Sequence, residues 1–271
     1  MTIEALIVGY RNAETIGLAI TSLQLIGDGV RVAVHDNSPE GETLDVALEA
    51  CRRAGFGSRG EHCPDNCGFG RGVNSLAAGS RADTLLVLNP DAQITRWSLT
   101  ELPSGRVIVG PRVTGPDGRP MVSWGPPRTV IEDALLKLPL VSRVNHRRLS
   151  RMEDSRRIGF LSGVAMLVPR AFFEELGGFD PGYFLYYEDV DLAARAVAAG
   201  ATLEVSPDWC VAHVEGHSWQ EHRYDQLRQE YLSGRRYFRG RGHVRAYDAV
   251  CTVNAALRWA GHGVGSRAAL G

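Results

Sequence analysis

The first 113 residues alternate short apolar runs with amphipathic helical patterns, and this alternation constrains the chain more than any other feature. IEALIVGY (3–10) reads as a strand running to a Gly, after which Asn12 is placed to cap a helix with Ile16, Ile20 and Leu23 on one face. VRVAVHD (30–36) predicts a second strand. ETLDVALEACRRAG (42–55) predicts a second helix, with Leu44, Ala47, Leu48 and Cys51 inward and Gly55 as its stop signal. A weaker strand near 58–62 leads to CGFGRGVNSLAAGS, a Gly-rich entry into a third helix, and TLLVLNPD (84–91) predicts a buried strand that stops at Asn-Pro-Asp. Alternation of this kind builds βαβ units and a parallel sheet covered on both faces. Ligands of such sheets bind outside the carboxyl ends of the strands. The polar residues there are Tyr10 to Asn12, Asp36 to Ser38, Asp65 to Asn66, and Asn89 to Asp91.

The second half changes character. VIVGPRV (107–113) and MVSWG (121–125) read as strands joined by the turn GPDG, and residues 126–157, without clear period, as a long functional or mobile loop. GFLSGVAMLVPR (159–170) reads as a strand running into a short helix, AFFEELGG. FDPGYFLYYEDVDLAARAVAAG (179–200) carries aromatics and then a capped amphipathic helix ending at Gly200, with ATLEVSP and CVAHV following as strands. From residue 219 onward two basic helices are expected, broken near Gly240 and Gly242.

A chain of 271 residues is long enough for one large domain or two small ones, with a core that needs no disulfide staples. The formal net charge of −1 predicts no strong pull toward nucleic acid. That total conceals blocks: residues 158–220 carry −7, flanked by +4 over 143–157 and +5 over 221–271. The basic blocks either fold over a cleft, facing an anionic acceptor or a membrane surface, or are solvated Arg faces. No apolar run approaches the ~18–20 residues that span a bilayer, and the N-terminus lacks the pattern of a signal peptide. The five cysteines are scattered, which suits a reducing cytoplasm. Cys63 and Cys67 have a CxxxC spacing with no second pair nearby to complete a zinc site, and read as packed thiols.

Three short segments carry chemistry. Asp91, at the end of a buried strand, either caps the next turn or ligates a hard cation that neutralises a diphosphate. In YYEDVDL (186–192), Glu188, Asp189 and Asp191 crowd a helix N-terminus. They either serve the helix end or include a general base, because crowded carboxylates behind aromatics can have one pKa raised. In HVEGHS (213–218), Gly216 argues against His213 and His217 sharing a helix face, so one His is either a metal or diphosphate ligand or structural. Trp124, Trp209 and Trp219 either stack on a sugar or pack.

Taken in order, VGYRNAETI, HDNSPEGE, PDNCGFGRGVN and LNPDA resemble the nucleotide-sugar half of glycosyltransferase family 2. FLSGVAMLVPRAFFEELGGFDPGYFLYYEDVDLAARAVAAG resembles its acceptor half, in the rhamnosyltransferase-like branch, and HVEGHS resembles the H-x-x-G-x-S segment that follows. The resemblance covers about residues 3–240. It implies a GT-A fold, an α/β Rossmann-like mixed sheet with helices on both faces, plus C-terminal helices. Residues 1–113 would be the nucleotide-sugar half, 114–220 the acceptor and catalytic half of the same domain, and 221–271 a basic helical extension. The implied reaction is inverting transfer from a nucleoside-diphosphate sugar, with Mg²⁺ or Mn²⁺ as cofactor.

By the same resemblance, Asp36 would contact the base, and Asn66 with the adjoining Gly68 and Gly70 would hold the nucleotide-sugar. Tyr10, Asn12, Asn37, Asn74 and Asn89 would complete that site, with Ser218 assisting at phosphate. Asp91 and His213 would bind the metal; Asn89 stands where the family's first Asp lies, which weakens a two-carboxylate grip. Asp189 would be the base with Glu188 beside it, and Trp124, Ser162 and Gly163 would meet the acceptor. Deoxythymidine-diphosphate rhamnose is the favoured donor and a uridine-diphosphate sugar the next. The acceptor would be a polyprenyl-linked glycan or a small natural product. The expected location is cytoplasmic, with peripheral membrane contact through the basic C-terminal helices and a dimer both left open. A sugar nucleotidyltransferase would want a basic Gly-rich loop at Gly9 to Asn12, where the match is poor. A catalytically inactive nucleotide-sugar-binding protein would not need Asp91, Asp189 and His213 together.

Overall fold

The computed structural model describes residues 2–137, 158–213 and 223–267. Its first four strands, β1 (Ile3–Gly9), β2 (Val30–Asp36), β3 (Gly57–His62) and β4 (Thr84–Leu88), are parallel. They are linked by helices α1 (Ala13–Ser22), α2 (Glu42–Ala54) and α3 (Phe69–Ala78). The sheet then continues through β5 (Ala92–Trp97), β6 (Val107–Thr114), β9 (Ala165–Pro169) and β10 (Thr202–His213), in the order β3-β2-β1-β4-β9-β6-β10-β5. Strands β9 and β5 run antiparallel to their neighbours, so the sheet is mixed. β7 (Trp124–Gly125) and β8 (Phe160–Leu161) form a separate two-stranded ribbon. The remaining helices are α4 (Val130–Lys137), α5 (Arg170–Glu175), α6 (Glu188–Ala198), α7 (Arg223–Gly240) and α8 (Val244–Arg267).

Strand periodicity explains the two-sided core. In β4, Leu85 and Val87 face one cluster with Leu76, Phe172 and Phe179, while Leu86 and Leu88 face another with Ile16, Ile20 and Cys51. β1 and β9 divide the same way, Leu6 and Val8 against Ile3 and Ile7, and Met166 and Val168 against Ala165 and Leu167. Each of the larger aliphatic side chains, fully buried, contributes about 1.5–3 kcal/mol. A charge on either face of β4 would therefore disrupt one whole layer.

Several expected boundaries are corrected. Asn12 stands at the N-cap of α1, but its side chain makes no capping bond; its Oδ1 accepts the Tyr10 N–H instead. AQITRW, not expected as a strand, is β5, held as an edge by pairing with β10. Only Trp124 and Gly125 of MVSWG are extended, and α4 lies within the stretch expected to be a loop; residues 138–157 are outside those described. The strand expected over 159–170 is divided into β8 and β9. ATLEVSP and CVAHV are one strand, β10, whose register on β6 shifts between Ser206 and Cys210. Pro207 lies in that gap and has no N–H to give to a ladder.

The Gly-rich entry to α3 is shaped by a close approach. Gly68 has φ +88°, and a Cβ there would lie 2.4 Å from the Phe184 carbonyl oxygen. We expect Gly68→Ala to destabilise the chain by more than about 1 kcal/mol, from the left-handed backbone alone and further from the clash. A lower thermal midpoint checks this; an unchanged one would mean that the 184–188 segment does not rest on α3.

Candidate active site

Strand directions bring the functional side chains to one edge. β4, β6 and β10 all end there, and β9 and β5, running the other way, begin there. The result is a cleft of about 710 Å³ lined by Asn89 after β4, Arg128, Ser162 and Gly163 before β9, Glu188 and Asp189 at the start of α6, and His213 at the end of β10.

Asp91 and His213 are brought together by sheet register. β5 pairs antiparallel with β10 so that Ala92 lies opposite His213, and His213 Nε2 then sits 3.1 Å from Asp91 Oδ1. Both side chains are about nine-tenths buried, and His213 Nδ1 has no hydrogen-bond partner among the described residues. A carboxylate oxygen and an imidazole nitrogen at one sheet edge form a mixed donor pair suited to Mn²⁺, and to Mg²⁺ through the oxygen.

The α6 carboxylates occupy unlike surroundings. The N-cap position is Tyr187, with no side-chain capping bond. Asp189 Oδ2 accepts the Gly163 N–H at 2.9 Å and Oδ1 accepts the Val190 N–H at 2.7 Å. Glu188 is 5% exposed, and its Oε2 has no partner among the described residues. Asp191 turns away to pair with Arg195 at 2.8 Å. Burial pushes the Glu188 carboxyl up to about 8, and the neighbouring Asp189 charge adds to this. Burial raises Asp189 as well, opposed by the Gly163 and Val190 N–H groups and by the Arg128 guanidinium. These donors favour the ionised form of Asp189 against its burial, whereas burial and the Asp189 charge both favour the protonated form of Glu188.

Folded Glu188 holds its proton to about pH 8, whereas an unfolded Glu releases it near 4.5. Between those values the folded state binds the extra proton, so its stability falls as pH rises through that window. Glu188→Gln has no proton to lose. Urea unfolding across the window is expected to give a flatter profile for the variant; a decline parallel to that of the native chain would assign the loss elsewhere.

The backbone leading into this pair is strained. Tyr186 and Tyr187 have φ +68° and +65°, a conformation disfavoured for aromatic residues. Tyr187 is held there by packing against Tyr237, Phe238 and Tyr247 of the C-terminal helices and by donating its hydroxyl proton to Asp133. The C-terminal helices thus set the direction in which α6 presents its carboxylates.

The first-half residues lie at the same sheet edge, each with defined partners. Asp36 is fully buried, its two oxygens accepting the Ser38 and Leu44 N–H groups. Asn37 donates to the Gly68 carbonyl and accepts the Cys67 N–H, and Asn66, at φ +49°, accepts the Gly68 N–H. Gly70 lets α3 approach Phe179 and Glu188. Asn74 binds Phe179 through both ends of its amide, tying the GGFD turn to α3. Tyr10 is partly exposed beneath the Arg11 guanidinium. Trp124 packs against the larger core cluster outside the cleft lining, and Trp209 is fully buried edge-on to Trp97. Ser218, His217 and Trp219 are outside the described residues.

Sequence reasoning missed Arg128, whose guanidinium stacks on Phe160 4.5 Å from the ring centroid while reaching the Asp189 charge. It also missed Thr43, whose hydroxyl accepts the Asn12 N–H, while Ser38, one of the polar strand-end residues expected there, accepts the Arg11 N–H. Arg128 belongs to no periodic pattern, and Thr43, on the buried face of α2, is marked as a site residue only by tertiary contact.

A family model described as "Glycosyltransferase like family 2" matches residues 139–231. An N-acetylglucosaminyl-diphospho-decaprenol L-rhamnosyltransferase of Mycobacterium tuberculosis is 32% identical over 178 residues, which cover 56% of this chain and 57% of that protein. The chain thus aligns with little more than half the length of that relative. A mannosyltransferase from Pyrobaculum calidifontis, solved with GDP-Man and Mn²⁺, superposes at TM-score 0.52 and 14% identity over 99% of this chain and 79% of its own. GalNAc-T7, solved with UDP, GalNAc and Mn²⁺, superposes at TM-score 0.54 and 14% identity over 81% of this chain and 44% of its own. The resemblance carried by the motifs holds, and the fold is of the GT-A kind.

Proposed function

We propose that this chain, a relative of the family 2 glycosyltransferases built on the GT-A fold, transfers a sugar from a nucleoside-diphosphate donor to an acceptor hydroxyl with inversion. The observation that carries this reading is the cleft itself: Asp189, which accepts two backbone N–H groups, lines the same space as His213, which touches Asp91.

Asp189 accepts the proton of the acceptor hydroxyl as that oxygen attacks the anomeric carbon from the face opposite the leaving nucleotide. The anomeric C–O bond breaks, its electrons stay with the diphosphate, and no covalent enzyme intermediate forms. Protonated Glu188 keeps the second negative charge out of the site, so that Asp189 alone serves as base. Asp91 and His213 would hold Mn²⁺ or Mg²⁺, which supplies positive charge to offset that growing on the diphosphate. Arg128 adds a fixed cation to the acceptor side of the cleft.

L-rhamnose from its deoxythymidine-diphosphate form is the first candidate donor, and a uridine-diphosphate sugar the second. A polyprenyl-diphosphate glycan is the first candidate acceptor, since the mycobacterial relative's name specifies both a rhamnosyl group and a diphospho-decaprenol acceptor. The test is a panel of nucleotide-sugars with Mn²⁺ and a short-chain polyprenyl-diphosphate N-acetylglucosamine, with product mass and anomeric configuration measured. Transfer with inversion from one donor is expected. A folded chain that neither binds nor turns over any nucleotide-sugar would overturn the reading, and retained configuration would overturn the role of Asp189 as base.

A further inference from the structure

The turn between β3 and α3 carries Cys63 and Cys67, and the fold brings His35, at the end of β2, against them. One ligand atom from each of the three lies within 4.8 Å of the other two. His35 Nε2 is 3.3 Å from Cys67 Sγ. Zinc bonds of about 2.3 Å to sulfur and about 2.0 Å to nitrogen, at a tetrahedral angle, would separate those atoms by about 3.5 Å. The His35–Cys67 spacing therefore needs only a few tenths of an ångström of adjustment.

The surroundings are those of a prepared ligand set. His35 is 5% exposed, and its other ring nitrogen, Nδ1, lies 3.3 Å from Glu61 Oε2. Glu61 is fixed in turn by the Ser75 hydroxyl at 2.6 Å and by Arg59. A carboxylate on Nδ1 selects the tautomer whose Nε2 lone pair points at the cysteines, the arrangement that orients metal-binding histidines. The turn itself is anchored, Cys63 N–H to the Asp36 carbonyl at 2.8 Å and Cys67 N–H to Asn37 Oδ1 at 3.2 Å. The donors are thus held before any ion arrives.

We propose that His35, Cys63 and Cys67 form a binding site for a thiophilic divalent cation, Zn²⁺ being the type ion. On binding, each thiol loses its proton to solvent and two sulfur–metal bonds and one nitrogen–metal bond form, with a fourth position left to water. The site is separate in chemistry from Asp91 and His213, which offer no sulfur. Its effect is local: it clamps the 63–67 turn to the end of β2, beside Asp36 and Asn37.

The test uses the full chain, reduced and stripped of metal, titrated with Co²⁺ and then Zn²⁺. A thiolate-to-cobalt charge-transfer band saturating at one equivalent and displaced by Zn²⁺ is expected. The band should vanish in the Cys63→Ser, Cys67→Ser double variant, and His35→Gln should weaken Zn²⁺ binding by on the order of 10-fold or more. Zn²⁺ should also raise the melting temperature of the native chain by more than that of the double variant. No band in fully reduced native protein, or an undiminished band in the double variant, would overturn the proposal. The native titration decides even where a variant fails to fold, and its result does not depend on sugar transfer.

Discussion

Asp189→Asn is expected to lower the rate of sugar transfer by on the order of 10³-fold while leaving donor binding intact, because it removes the group proposed to take the acceptor proton. The substitution keeps the side-chain shape, but places an amide NH₂ against one of the two N–H donors from Gly163 and Val190. That mismatch adds about 1–3 kcal/mol of destabilisation. Donor binding by calorimetry therefore belongs in the same experiment, since a chain that binds normally and transfers slowly has lost chemistry and not fold. Turnover within a few-fold of native would assign the base elsewhere, with Glu188 next in line once its proton is removed at alkaline pH.

Asp91→Ala should give the opposite pattern. Here metal-dependent donor affinity is lost, with transfer falling on the order of 100-fold or more as the charge on the leaving diphosphate goes unbalanced. His213 is then left buried, with Nε2 deprived of the Asp91 oxygen and Nδ1 without a partner among the described residues. Titration of Mn²⁺ in the presence of nucleotide should show a weakened response in Asp91→Ala and a smaller deficit in His213→Ala, where the carboxylate remains. Unchanged Mn²⁺ dependence in both variants would separate this pair from any metal role.

The blocks of opposite charge acquire a definite meaning in the fold. Arg236 of α7 lies 2.8 Å from Asp180, and Arg241 lies 3.9 Å from Asp191, so part of the basic C-terminal segment docks on the acidic segment before it. At these exposures each pair contributes at most about 1 kcal/mol. The docking rests more on Tyr237, Phe238 and Tyr247, which are almost wholly buried around Tyr187. Among the described residues no helix is long and apolar enough to cross a membrane.

Much of the first half was legible because its signals are local. The β1, β2 and β4 runs, the Gly55 stop and the Gly240 break are matters of period and backbone preference, and each lies within a residue or two of its expected place. Edge strands were harder: β5 has a mixed pattern because only part of it is covered, and it is a strand because β10 pairs with it. The chemical residues divided similarly. Asp91 and Asp189 were visible as carboxylates at element ends, whereas Arg128 sits in a segment without period and shows its role only through its reach to Asp189.

The sequence by itself therefore determined an α/β sheet with carboxylates at its carboxyl edge, since side-chain period and turn chemistry act over a few residues. Only the tertiary structure decided which of those groups meet. The β5–β10 register joins Asp91 to His213, the Gly163 N–H and Arg128 face Asp189 and oppose its burial, and β2 carries His35 to Cys63 and Cys67. Those choices rest on contacts between segments far apart in the chain, for which no local pattern is required.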